Sequence, residues 1–321
     1  MNSSLFLFFS SMLLGVMISL CSNNLISIWI GLEISLLSFI PIMTGGNLLS
    51  SESSMKYYIV QSVSSSLLLL GVMILIMDLH RLGELILSLS LLIKLGVAPF
   101  HMWVLSVVEG LSYMSLFIVL FTMKLVPLSI ISLMNYELMM MSILTMIVGS
   151  ISGLIQNSIR KLLSFSSIYN LGLVISCIYE TSLWLTYFLI YGIILFSVLL
   201  MIFSLNSNYI NQIIMMDFSL TKKLVFWLVM LSMGGLPPFL GFLNKLLVIE
   251  FLLNNNYLVL LITLIMTALL VIFYYIRLSF VSIFFSSMLK LNLFKSSNIS
   301  ILVLLINLFS FPLFLSLKCL T

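Results

Sequence analysis

Apolar stretches of about 20 residues follow one another along almost the whole chain. Of the 321 residues, 62% are hydrophobic and 7% are charged, whereas a soluble domain carries roughly 25% charged residues. A helix of about 20 apolar residues spans the hydrocarbon core of a bilayer, and backbone polar groups in lipid must be paired within the protein. The sequence therefore predicts an all-α polytopic membrane protein.

These stretches predict eleven transmembrane spans. The ninth is too long for one straight helix and contains Gly-Gly-Leu-Pro-Pro at 234–238, so we expect a broken helix there. No connecting segment is long enough for a soluble domain, which predicts a single membrane domain over residues 1–321. The predicted spans lie near 3–21, 24–43, 55–77, 85–104, 113–134, 138–157, 162–180, 182–206, 223–253, 256–280 and 298–317.

The basic residues of the connecting segments predict the orientation of the chain. If the segments after even-numbered spans share a side with the N-terminus, that side carries seven basic residues and the other side carries two. Because basic residues concentrate on the inner side of a membrane, we place the N-terminus inside and the C-terminus outside. The seven are Lys56, Arg160, Lys161, Lys222, Lys223, Lys290 and Lys295, and the two are Arg81 and Lys318.

Four charged side chains lie near the middle of predicted spans: Glu33, Lys94, Lys124 and Lys245. A charge at this depth costs about 2.5–3.5 kcal/mol on insertion scales and normally faces a bundle interior or a water-filled path. We interpret Glu33 and Lys94 as a pair whose separation releases a proton, because an opposite charge favours the charged form of each. Lys124 and Lys245 lack an obvious local counter-ion and fit further proton sites. The alternative is a set of static ion pairs that only fix helix packing.

A short repeat connects two of these spans. The segment at 96–100, Gly-Val-Ala-Pro-Phe, resembles Gly-Leu-Pro-Pro-Phe at 235–239, five spans later. An odd number of spans inverts orientation, and Gly/Pro-interrupted spans in matching positions of inverted halves indicate a transport site. We therefore predict helix breaks at Pro99, Pro237 and Pro238, with two ordinary proline kinks as the alternative.

This repeat divides the membrane domain into parts. We predict a first repeat at about 1–134, a second at about 138–280, and a C-terminal helix at about 298–317.

Other polar residues near these positions are candidates for a secondary relay or for structural roles. His101 closely follows the first break and titrates near neutral pH, while Glu109 lies between spans 4 and 5. Tyr169 and Asn170 in span 7 either order water or hydrogen-bond across helices, and we favour the second role. Glu250 lies five residues beyond Lys245.

The sequence contains no pattern for a cofactor, a metal or a nucleic acid. Cys21, Cys177 and Cys319 have no CxxC or Cys/His spacing, which disfavours a disulfide framework, a zinc site and an iron–sulfur cluster. Nucleotide-binding and hydrolase motifs are also missing. We therefore expect no cofactor, metal or redox centre in this chain, and membrane lipids around it.

Five segments resemble the subunit 2 family of mitochondrial NADH dehydrogenase, respiratory complex I, in its arthropod-like form. The resemblance covers nearly the whole chain in order, and it implies an antiporter-like subunit with inverted five-helix repeats and two broken helices. The segments are GLEISLLSFIPIM (31–43), SSMKYYIVQSVSSSLLL (53–69), IKLGVAPFHMW (93–103), RKLLSFSSIYNLG (160–172) and LSMGGLPPFLGFLNK (231–245).

The resemblance also implies residue roles. Glu33 and Lys94 match the family's membrane Glu–Lys pair, Lys124 matches its central-axis lysine, and Lys245 matches the lysine after the second broken helix. Two positions depart from the family pattern: Asn170 stands where a histidine is common, and Asn244 stands where related chains have a proline.

The implied function is proton translocation by a membrane-arm subunit of NADH:ubiquinone oxidoreductase in the mitochondrial inner membrane. The N-terminus would face the matrix and the C-terminus the intermembrane space. FMN, iron–sulfur clusters and ubiquinone would belong to other membrane and peripheral subunits, which are the implied partners. A free-standing cation/proton antiporter and a purely structural membrane subunit are the alternatives. A full channel, a half-channel and a lateral relay all fit the sequence.

Overall fold

The computed structural model describes residues 3–134, 138–215, 220–284, 303 and 307. These residues are helical wherever they form regular structure, and the chain divides into two compact units, Met1–Glu137 and Leu138–Thr321. Six of the described helices are long and apolar enough to cross a membrane. The prediction of an all-α polytopic membrane protein is therefore confirmed.

The total of eleven spans stays a prediction. Most of the predicted C-terminal helix at 298–317 lies outside the described residues, as do Lys290, Lys295, Lys318 and Cys319.

Unit 1 contains a tightly packed pair of helices at its start. A Cβ atom added to Gly15 would lie 2.8 Å from the carbonyl oxygen of Gly31, so the two backbones touch. Small residues permit this close approach, as is common between membrane helices. The helices of unit 1 are α1 (Ser3–Cys21), α2 (Leu25–Met43), α3 (Leu48–Ile76), α4 (His80–Leu95), α5 (Met102–Val108), α6 (Tyr113–Phe117) and α7 (Met123–Leu133).

Unit 2 also relies on glycine for close packing. A Cβ atom on Gly149 would lie 2.6 Å from the backbone nitrogen of Tyr169, which allows the two helices that carry them to pack along each other. The helices of unit 2 are α8 (Met139–Ile155), α9 (Ile159–Ser176), α10 (Thr181–Leu205), α11 (Ile210–Met215), α12 (Leu220–Gly234), α13 (Leu240–Asn254) and α14 (Leu258–Phe284).

Both predicted helix breaks are present. Helix α4 ends before Gly96, whose φ is +71°, and α12 ends before Gly235, whose φ is +75°. Glycine adopts this left-handed conformation without the steric cost that a Cβ atom imposes. The prolines follow within the non-helical segments, where their missing N–H groups interrupt no helix ladder.

The structure differs from the sequence prediction at the ends of two helices. His80, expected in a loop, is the first residue of α4 and lies exposed, 4.0 Å from Asp78. Lys56, counted with the basic residues of the connecting segments, lies within α3 and pairs with Glu52 at 2.6 Å. Polar residues at helix ends extend these helices beyond their apolar stretches.

A further difference lies within span 113–134. The structure has one turn of π-helix at Ile118–Thr122, between α6 and α7. Pro127 lies in α7 and has no N–H group to offer the carbonyl of Met123. Single π turns in longer helices occur frequently at functional sites, and this one ends two residues before Lys124.

Candidate functional site

A cavity inside unit 1 brings together two of the predicted relay lysines. Lys94 on α4 and Lys124 on α7 both line it, and they are only 7% and 3% exposed. Inside the cavity, the centre of a water-sized sphere can occupy a volume of ≈ 20 Å³. A single buried water needs about 10–15 Å³ of this kind of volume. The cavity can therefore hold water beside both lysines. Its polar lining also includes Ser35, Tyr57, Gln61 and Trp103.

The end of α4 holds Lys94 at the cavity. The last carbonyl groups of a helix lack intrahelical hydrogen-bond donors. Here, side chains from α3 and α5 donate hydrogen bonds to these carbonyls. The Gln61 amide donates to the carbonyl of Lys94 at 3.4 Å, and the Trp103 indole donates to that of Ile93 at 3.0 Å. The partial negative charge of a helix C-terminus also favours a cation in its last turn.

Glu33 lies near this cavity without lining it. It is half-buried on α2, whose neighbouring residues Leu32, Ser35 and Leu36 form part of the wall. Its charge acts on Lys94, although no oxygen of Glu33 comes within 4.0 Å of the ammonium nitrogen. The predicted pair is therefore electrostatically coupled across a gap.

Lys245, in unit 2, lies at the second helix break. Its Nζ atom donates a hydrogen bond of 2.6 Å to the carbonyl of Gly234, the last residue of α12. The same atom lies 5.9 Å from the centre of the Tyr169 ring. Both the helix C-terminus and the aromatic face attract a cation. The break thus exposes the carbonyl that holds the lysine, which is 7% exposed.

A cluster of five buried tyrosines surrounds this region of unit 2: Tyr169, Tyr187, Tyr191, Tyr274 and Tyr275. Only Tyr169 was predicted from the sequence. The other four lie in strongly apolar segments, and a phenolic hydroxyl at bilayer depth was the signal that could have identified them.

Asn170 and Asn244 both bond to Tyr187. The Tyr187 hydroxyl donates to Oδ1 of Asn170 at 2.7 Å, and the Asn244 amide donates to the backbone carbonyl of Tyr187 at 3.4 Å. These bonds tie α9, α10 and α13 together. The amide of Asn170 therefore takes part in a hydrogen bond across helices.

The remaining candidates lie around these two groups. His101 is half-buried before α5, close to the backbone of Pro99. Glu109 and Glu250 are exposed. The prolines Pro99, Pro237 and Pro238 are exposed at the breaks.

Side chains that could bind a metal ion do not cluster in the described part of the chain. Within those residues, no three His, Cys, Asp or Glu side chains are close enough to hold a metal ion.

Comparison with protein families matches residues 22–272 to the transmembrane family of NADH:quinone oxidoreductases and Mrp antiporters. NADH-ubiquinone oxidoreductase chain 2 of Anopheles gambiae is 41% identical over 291 residues, which cover 85% of this chain and 84% of the relative. The protein of the same name from Aedes aegypti is 39% identical, with 92% of each chain covered.

Two solved structures share the fold. A chain of respiratory complex I from Thermus thermophilus with bound Aureothin has a TM-score of 0.78 at 20% identity, covering 87% of this chain and 70% of that one. A chain of the Mrp complex from Dietzia sp. DQ12-45-1b has a TM-score of 0.72 at 18% identity, covering 84% and 58%.

Proposed function

Because the chain belongs to the NADH-ubiquinone oxidoreductase chain 2 family, we propose that it is a proton-translocating membrane subunit of NADH:ubiquinone oxidoreductase. The observation that best supports this proposal is the cavity that Lys94 and Lys124 share. Two amines beside a space for water can exchange protons through it. The roles of Lys94 and Lys124 in this proton exchange are part of the same proposal.

Proton movement in unit 1 follows from electrostatics. A charge on one lysine disfavours a charge on the other, while the Glu33 carboxylate favours a charge on Lys94. A change in the distance between Glu33 and Lys94 would therefore shift a proton between Lys94 and the cavity water, and from there to Lys124. Reduction of ubiquinone elsewhere in the complex would drive that change.

The cellular setting follows from the same family. We place the chain as a multi-pass protein in the mitochondrial inner membrane, with its N-terminus in the matrix and its C-terminus in the intermembrane space. Its partners are the other membrane and peripheral subunits of respiratory complex I, and it is surrounded by lipids. FMN, the iron–sulfur clusters and the ubiquinone site belong to those other subunits, so this chain contributes proton transfer alone.

The experiment is a measurement of pumping by the intact complex with Lys94→Ala or Glu33→Ala in this chain. We expect fewer protons pumped for each electron transferred, and slower coupled NADH oxidation. Lys56→Ala is the matched control, because Lys56 lies exposed on α3 and pairs with Glu52 in the neighbouring turn. An unchanged stoichiometry and rate in both Lys94→Ala and Glu33→Ala would overturn the relay.

Cation/proton exchange is the second candidate, because the matching family includes Mrp antiporters. The assembled complex in liposomes distinguishes the two functions. We expect proton pumping that depends on NADH and ubiquinone and is independent of Na⁺ and K⁺ gradients. Proton uptake or release driven by a cation gradient alone would support the antiporter function.

A further inference from the structure

We propose that Tyr169, Tyr191, Tyr274 and Tyr275 form, together with water, a path of hydroxyl groups inside unit 2 that carries protons to Lys245. This tyrosine path rests on the proposed function, because it supplies the protons that Lys245 would exchange.

The four side chains lie together in the buried interior of unit 2. Tyr169 comes from α9, Tyr191 from α10, and Tyr274 and Tyr275 from α14, and none is more than 4% exposed. The ring centres of Tyr274 and Tyr275 are 4.6 Å apart. Tyr274 also lies near Tyr169, and Tyr191 lies near Tyr275. Three helices thus direct phenolic groups into one region.

The hydroxyl groups of these four tyrosines make no hydrogen bond of 3.5 Å or less with good geometry to the described residues, although hydroxyl groups of Thr267, Ser166 and Ser167 lie near enough to interact with three of them. A buried hydroxyl without a partner is unfavourable, and most buried polar atoms in proteins are paired with protein or with ordered water. One such group is an ordinary exception. Four in one cluster indicate a place where water completes the bonding.

Three further hydroxyl groups border the cluster. Thr267 lies beside Tyr169, Ser167 beside Tyr191, and Ser166 beside Tyr275.

Each of these hydroxyls donates its own hydrogen to a backbone carbonyl of its helix, at 2.7 to 2.8 Å. A hydroxyl oxygen that donates its hydrogen can still accept a hydrogen bond on its lone pairs. The tyrosine hydroxyls and water therefore have acceptors along the cluster.

The cluster reaches Lys245 from two sides. The ring of Tyr169 lies 5.9 Å from the Lys245 Nζ atom. A Cβ atom on Gly234 would lie 3.6 Å from Cβ of Tyr275, and the carbonyl of Gly234 is the group that Lys245 binds. Two of the four tyrosines therefore border the second helix break, where we propose that the path delivers its protons to Lys245.

Neutral hydroxyl groups are sufficient for the transfer. Each tyrosine accepts a hydrogen bond from one water and donates its own hydrogen to the next acceptor, so an incoming proton replaces the outgoing one and no tyrosine becomes ionised. At the end, the neutral amine of Lys245 gains one proton and becomes an ammonium, or the ammonium loses one. No electron moves. Tyr187 is excluded, because its hydroxyl already donates to Asn170.

The test compares Tyr→Phe substitutions in the intact complex. Tyr191→Phe, Tyr275→Phe and the double variant each remove hydroxyls that make no close hydrogen bond to a described residue. We expect proton pumping to fall by about tenfold in the double variant, less than the roughly 10²–10⁴-fold effect of a positioned acid–base group, because water partly replaces a hydroxyl. Thermal stability should stay equal or rise. Tyr187→Phe is the matched control and should lower stability while the proton-to-electron ratio is kept.

Two results would overturn the path. One is wild-type pumping in the double variant. The other is a loss of thermal stability equal to that of Tyr187→Phe with an unchanged ratio, because it would mean that the hydroxyls serve packing. If the double variant pumps normally but Lys94→Ala loses pumping, the tyrosine path is wrong and the proposed function still stands. Ordered-water density from electron cryomicroscopy of the wild-type complex is the independent readout: we expect water bridging at least two of the four hydroxyls, and side chains filling that space would contradict the path.

Discussion

At the scale of single residues, the central observation is that Lys94 and Lys124 line the same cavity. Either lysine alone would be a buried cation of the kind that membrane proteins keep for function. Together they place two amines beside one space that can hold water, where a charge on one would disfavour a charge on the other. Glu33 adds a negative charge that acts on Lys94 from outside the cavity lining.

This shared cavity predicts that Lys94→Met and Lys124→Met act on the same step. Each single variant should slow coupled NADH oxidation at least about tenfold, since positioned proton-transfer groups commonly contribute 10²–10⁴-fold. The double variant should be no slower than the slower single variant, because groups that act as a unit are strongly non-additive. The measurement is a double-mutant cycle on turnover and pumping.

The control cycle combines Lys94→Met with Lys56→Met, since Lys56 is exposed and lies outside the cavity lining. Its effects should simply add. A double Lys94/Lys124 variant whose loss equals the product of the two single losses would mean that the lysines work independently.

At the scale of elements, the two helix breaks expose carbonyl groups and satisfy them differently. After α4, neutral side chains from α3 and α5 bond the last carbonyls, and the lysine of that helix is left to face the cavity. After α12, the lysine itself bonds the last carbonyl. The first break presents its lysine to water, and the second holds its lysine against the backbone.

The second break predicts a sharp difference between two adjacent glycines. A Cβ atom on Gly235 would lie 2.9–3.0 Å from Cδ, Cε and Nζ of Lys245, and φ is +75° there. Gly235→Ala should therefore displace Lys245 from the Gly234 carbonyl and cost roughly 1–2 kcal/mol of backbone strain. We expect reduced pumping together with a lower melting temperature of the assembled complex.

Gly234→Ala is the control for this prediction. Its Cβ atom would meet neighbours at 3.6–3.9 Å, an ordinary contact, and alanine favours a helix by about 1 kcal/mol over glycine. We expect near-normal pumping and unchanged or higher stability. Equal effects of the two substitutions would show that the contact with Lys245 is not what matters at Gly235.

The breaks could be predicted from sequence because glycine and proline act locally, through φ and the missing N–H. The π turn at Ile118–Thr122 could not, since a widened turn leaves hardly any trace in composition. The tyrosine cluster was missed for a related reason. Apolar spans contain few polar residues to mark their faces, so the sequence does not reveal which faces meet.

At the scale of the whole molecule, composition and the length of the apolar stretches were sufficient for the fold class. A chain in lipid can pair its backbone only as helices or as a closed barrel, and continuous apolar stretches of about 20 residues select helices. Depth along each span located Glu33, Lys94, Lys124 and Lys245. However, the depth of a residue in its own span does not show which residues of other helices lie next to it. That is why the sequence showed no local counter-ion for Lys124 and could not show that α7 packs against α4 and places Lys124 at the cavity of Lys94.

The last prediction concerns the orientation of unit 2 in the membrane. Asn157 and Ser182 are exposed just beyond opposite ends of α9, whose 18 residues extend about 27 Å. The basic residues Arg160 and Lys161 lie at the Asn157 end, which predicts that this end faces the matrix. In a background with Cys21 and Cys319 changed to serine, Asn157→Cys should react with a membrane-impermeant maleimide only in inside-out particles. Ser182→Cys should react only in mitoplasts. The reverse pattern would invert the topology, and labelling of both positions from one side would mean that α9 does not cross the membrane.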